Sequence, residues 1–163
     1  MRPRPVVVRL SIALTLCCGL AVFTGTSQAR MSRDRTLAAA LAYVDARCPD
    51  YGKVVNRSEW QHGWAFNALY GSCLGNYDQR IWFFVHGRFV GTDAKRPSHE
   101  ILGMWRGART IAFMYVLYRY QDPACCSTGG GKIVRYRWNS GRVVRLDRLP
   151  PVQDYSGSKP VGR

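Results

Sequence analysis

From Gly63 onward the chain is a succession of short runs rich in β-branched and aromatic residues, each closed by turn residues, and this pattern limits the fold more than any other feature. The runs are GWAFNALYGS (63–72), RIWFFV (80–85), RFVGT (88–92), ARTIAFMYVLYRY (108–120), KIVRYRW (132–138) and RVVRL (142–146). Branched and flat side chains fit a pleated, half-buried surface, so each run is predicted to be a strand. His86-Gly87 and Asn139-Ser140-Gly141 fall between runs where a tight hairpin would, joining their flanking strands antiparallel. The stretch 111–118 is apolar on both faces, as a central strand is. In Lys132–Trp138, Val134, Tyr136 and Trp138 alternate with Ile133, Arg135 and Arg137, which gives one covered face and one wet, basic face.

Ahead of these runs the period changes. SRDRTLAAALAYVDARC begins on Ser32, a good N-cap, and places Leu37, Ala40, Leu41 and Val44 on one side. Pro49 disfavours helical geometry in the residue before it, so a helix of about fifteen residues should end near Cys48. The predicted architecture is an α+β domain: an N-terminal helix packed on a mostly antiparallel sheet of about five or six strands, stapled by disulfides. No internal repeat is present.

The first 29 residues carry Arg2, Arg4 and Arg9, an apolar run from Leu10 to Phe23, and small residues ending Ser27-Gln28-Ala29. That order of charge, apolar stretch and cleavage site is a secretory signal, and its apolar run is short for a bilayer, which asks for about twenty residues. Lipidation at Cys17 or Cys18 is the alternative, but Leu16 and Cys17 stand where a small residue should precede the lipidated cysteine. Secretion or an envelope location is the expectation, with a single domain over 30–150 and a flexible tail over 151–163.

Beyond the signal the chain has 21 Lys and Arg (24 less Arg2, Arg4 and Arg9) against 10 Asp and Glu. An excess of this size attracts anionic envelope polymers or lipid head groups. Export argues against nucleic acid. The candidate surface is the basic strand face, Arg135 and Arg137 with Arg145 beside them.

Cys48, Cys73, Cys125 and Cys126 remain after cleavage, and an even number in a short exported chain reads as two disulfides. No C-x-x-C pair supports a zinc ribbon or a thioredoxin-type centre. Cys125 and Cys126 sit in QDPACCSTGGGK (121–132), a stretch with three readings. A phosphate loop is excluded because Cys126 stands where the first glycine is required and Ile133 follows Lys132. A nucleophilic thiol needs a neighbouring base, which the sequence does not place there. Two long-range bridges are expected, one joining Cys48 to 125 or 126 across about 77 residues, worth on the order of 4 kcal/mol. A bond between the adjacent pair is possible only as a reducible one, because their Cα atoms stand about 3.8 Å apart while unstrained bridges span about 4.4–6.8 Å. Asp122-Pro123 starts a turn, and Gly129 to Gly131 supply the freedom to leave it.

No catalytic residue, cofactor or metal site is read from the sequence. His62, His86 and His99 are taken as surface residues, Glu59 and Asp78 form no acid/base pair, and the five tryptophans are assigned mainly to the core. An extracytoplasmic hydrolase, or a protein-binding module using loop 121–131, are the rival classes.

FFVHGRFVGTD (83–93), the long aromatic strand, DPACCSTGGGKIVRYRW (122–138) and RLDRLP (145–150) together resemble the LppP/LprE family of exported actinobacterial lipoproteins, over roughly 48–150. Ser127 stands where the family pattern has proline. The resemblance implies a cell-envelope or secreted protein without an assigned activity, and it carries no catalytic residues across.

Overall fold

The computed structural model describes residues 36–48, 53–74 and 77–151. The expected signal at 1–29, Cys17 and Cys18, and the tail beyond Pro151 lie outside the described residues. Among the described residues, eight strands form two four-stranded sheets. The first holds β1 (Val54–Asn56), β2 (Phe66–Leu74), β3 (Tyr77–Val85) and β4 (Arg88–Thr92), in that order. The second holds β5 (Ile101–Arg106), β6 (Thr110–Val116), β7 (Gly131–Asn139) and β8 (Arg142–Arg145). Every neighbouring pair is antiparallel.

The strand period decides which side chains go where. Phe66, Ala68 and Tyr70 of β2, with Ile81 and Phe83 of β3, point into a core shared with Ile101, Ile111, Phe113, Tyr115, Val134 and Tyr136 of the second sheet. Each fully buried Phe or Ile there contributes about 1.5–3 kcal/mol. Across the core β2 faces β6, and β4 faces β8 at the edge of the sandwich. The intervening residues Leu69, Trp82 and Phe84 point the other way, where helix α1 (36–45) covers them with Ala40 and Val44.

This corrects the expectation of a helix on one sheet of five or six strands. The ten described helical residues span about 15 Å and cover only the β2–β3 strip. The apolar face of β6 and β7 therefore needs another cover, which the first sheet supplies. Two strands were missed in the sequence: β1 has three residues, and β5 (ILGMWR) holds Gly103 and a register shift between Gly103 and Trp105 that breaks its alternation. The hairpins at 86–87 and 140–141 form as expected, with left-handed φ at His86 (49°), Gly87 (79°), Ser140 (46°) and Gly141 (83°). Those pairs of positive values are what a two-residue turn between twisted strands requires.

The cysteine pairing also differs from the expected long-range bridges. Cys48 bonds Cys73 with Cα atoms 4.8 Å apart, tying the end of α1 to β2 on the outer side of the first sheet. Cys125 and Cys126 bond each other. The reason is topological: the loop carrying the adjacent pair belongs to the β6–β7 connection of the second sheet, and the first sheet stands between it and Cys48.

Candidate anion-binding site

Pairing register separates the three arginines expected on one face. Arg135 lies opposite Ala112 and Arg137 opposite Thr110, on the outward side of the second sheet, whereas Arg145 lies opposite the core residue Tyr136. Arg135 is also neutralised. Its Nε donates to Asp147 Oδ2 at 2.8 Å and its Nη2 to Oδ1 at 2.9 Å, while its backbone N–H donates to Oδ2 at 2.9 Å. These donors, led by the guanidinium, hold the Asp147 carboxyl down at about 2. Arg137 Nε donates to Thr110 Oγ1 at 3.3 Å.

Arg145 belongs instead to a second group. Lys95 and Arg96, just past β4, Lys132 at the start of β7, Arg145 at the end of β8 and Arg148 beyond it line one concavity of about 800 Å³. Leu117, Leu149, Pro150, Pro151 and Ala94 supply its apolar wall. None of the five cations is in an ion pair among the described residues. The fold gathers them because β4 and β8 oppose each other at the sandwich edge, the chain leaves both strands there, and the segment after β8 continues along β7, which brings in Lys132. The wall is held in place from behind: Leu146 N–H donates to Arg135 O at 2.8 Å, and Asp147 clamps the same residue. Like charges around a concave, partly apolar surface focus a positive potential on whatever enters.

Below this edge the two sheets share a buried polar chain. Asp93 Oδ1 accepts the Ile81 N–H at 3.0 Å, and its Oδ2 accepts the Tyr115 hydroxyl at 2.7 Å. With that proton committed, Tyr136 donates to Tyr115, 2.6 Å away. Burial, then the Asp93 charge, push the Tyr115 phenol far above its ordinary value. This chain joins the GTD turn of the first sheet to β6 and β7 of the second.

The β6–β7 connection forms a loop pinned by Asp122. Its carboxylate accepts Arg119 N–H at 2.6 Å, Thr128 N–H at 2.7 Å and the Thr128 hydroxyl at 2.7 Å. The loop is closed at its base where Leu117 N–H donates to Gly130 O at 2.8 Å. Of Gly129 to Gly131, Gly130 alone is left-handed (φ 76°). Tyr118 reaches Glu100 Oε2 at 2.7 Å and packs at a tilt against His99, which is buried rather than on the surface. Burial holds the His99 imidazole below its ordinary value, against the opposing pull of Glu100 and Asp78.

No group of three or more His, Cys, Asp or Glu among the described residues is placed to hold a metal ion. Glu59 is buried beside Arg106, whose Nη1 donates to Glu59 O at 2.6 Å and to Asn67 Oδ1 at 2.8 Å. Nη2 of the same residue donates to Phe66 O at 2.6 Å, so this cluster locks β5 to the β1–β2 connection. Trp60 and Trp82 are core residues as expected, whereas Trp64 and Trp105 are exposed.

Residues 72–141 match the family model described as LppP/LprE lipoprotein. Over that span the chain is similar to the LppP/LprE family. The match takes in Asp93, the pinned loop with its cysteine pair, and Lys95, Arg96 and Lys132 of the concavity. The helix, β1 and β8 lie outside it. A lipoprotein-family domain points to an exported, envelope-associated protein, and no helix among the described residues is long and apolar enough to cross a membrane. No curated protein and no solved structure matches the chain.

Sequence reasoning found Arg145 but assigned it to the wrong neighbours, and it missed Lys95, Arg96, Lys132 and Arg148. Their charges are visible in AKRP (94–97) and RLDRLP (145–150). What brings them together is the second sheet, which no local pattern announces.

Proposed function

We propose that this protein is a non-enzymatic binding domain of the cell envelope that captures an anionic amphiphile, a lipid with a phosphate or carboxylate head group, in the concavity between β4 and β8. The observation that carries this reading is the set of five cations, Lys95, Arg96, Lys132, Arg145 and Arg148, around one opening with no acid in its lining. Like charges without an ion-pair partner repel one another in the folded chain, and an anionic head group relieves that repulsion on binding. The apolar wall of Leu117, Leu149, Pro150 and Pro151 favours a head group carrying hydrocarbon over a fully hydrated polymer. The basic outer strand face is a poorer candidate, because Asp147 already occupies Arg135.

The test is equilibrium titration with decyl phosphate below its micelle-forming concentration, beside decyl glucoside as the uncharged control. The phosphate is expected to bind with an affinity that falls as salt rises, and the glucoside far more weakly. Equal binding of the two probes, or phosphate binding that ignores salt, would sink the proposal.

A further inference from the structure

The two disulfides stand in opposite surroundings. Cys48 is buried under α1 at 4 % exposure, and its bridge to Cys73 closes a segment 25 residues apart in sequence. Cys125 and Cys126 are both exposed, and their bridge joins neighbours in the chain. A bridge between neighbours closes almost no loop, so it removes little entropy from the unfolded chain and adds little to global stability. The Asp122 carboxylate holds Arg119 and Thr128 on either side of the pair, and Cys126 N–H donates to Pro123 O at 3.0 Å. Tyr118 adds a contact to Ala124 O at 3.0 Å. The loop thus keeps its course through hydrogen bonds that do not involve sulfur.

We propose that Cys125–Cys126 is a redox-active site that exchanges two electrons with an external dithiol, while Cys48–Cys73 is structural. In the reductive direction a thiolate of the dithiol attacks Sγ of one cysteine. The 125–126 bond breaks, and the other cysteine leaves as a thiolate and takes up a proton. The second thiol of the reductant then attacks the mixed disulfide, releasing the first cysteine. The protein gains two electrons and two protons, and the dithiol becomes a disulfide. Exposure admits the attacking thiolate, and the pinned loop keeps the two thiols adjacent for reoxidation. An exposed bridge is the more easily reduced kind, and a buried one that braces the fold resists.

The experiment is graded reduction of the full chain under native conditions in buffers of reduced and oxidised dithiothreitol. Free thiols are then alkylated and the sites mapped by peptide mass. The pair at 125 and 126 should reach half-reduction at a dithiothreitol ratio at least about tenfold lower than Cys48–Cys73, with an unchanged far-ultraviolet spectrum, and should re-form on reoxidation. An Asp122→Ala variant, in which the loop is no longer pinned, should re-form the bridge more slowly. Reduction of both bridges at one ratio, or reduction of 125–126 only together with unfolding, would overturn the assignment.

Discussion

At the scale of single residues, the buried carboxylate of Asp93 is the polar group on which most depends. It accepts one donor from each sheet, the Ile81 N–H and the Tyr115 hydroxyl, and both are cut off from water. Removing it leaves two buried donors unsatisfied, each costing about 1–3 kcal/mol. Asp93→Ala is therefore expected to lower unfolding free energy by about 2–6 kcal/mol in urea titration, and a loss below about 1 kcal/mol would contradict this role. Asp147 gives the pH dependence. Its folded value of about 2 lies below the ordinary 3.8, so its tie to Arg135 is complete above about pH 4 and is lost as pH falls through about 2. The stability of the wild-type protein should decline across that window, and Asp147→Asn should flatten that part of the profile in acid-titrated unfolding curves.

At the scale of elements, the helix is held to the sandwich by Ala40 and Val44 against Leu69, Trp82 and Phe84, and by the bridge at its C-terminal end. The chain-entropy relation gives about 3.5 kcal/mol for a bridge of this span. Cys48→Ala with Cys73→Ala should cost a similar amount and should speed hydrogen exchange first in α1 rather than in β6 or β7. Uniform loss of protection would show that the bridge braces the whole sandwich. Legibility in the sequence follows the same division. The hairpins at 86–87 and 140–141 were readable because positive φ confines the choice of residues there. The two-faced character of Lys132–Trp138 was readable because its period is local. The second sheet was not, since β5 hides its alternation behind Gly103 and its partner strands alone reveal the pairing. Cys125 and Cys126 looked like long-range staples because an even cysteine count does not say which elements are separated by a sheet.

At the scale of the whole molecule, two basic surfaces lie on different sides of the second sheet. On the outward side Arg135 is spent on Asp147, and Arg137 is hydrogen-bonded to Thr110. At the β4–β8 edge five cations converge without an acid in the lining: Lys95 and Arg96 from the segment after β4, Arg145 and Arg148 from the end of β8 and beyond, and Lys132 from the start of β7. The clamp at Asp147 connects the two surfaces, because it fixes the segment that bears Arg148, Leu149 and Pro150. The measurement that bears most directly on this account is the decyl phosphate affinity of the double variant Arg145→Glu/Arg148→Glu against that of Arg137→Glu, all at low salt. Near a charged surface each cation contributes about 1 kcal/mol, so the double reversal should weaken binding by tenfold or more. Arg137→Glu should leave the affinity within about twofold of the wild type, as expected of a cation outside the concavity. Equal losses in the two variants, or wild-type affinity in the double reversal, would contradict capture in the concavity.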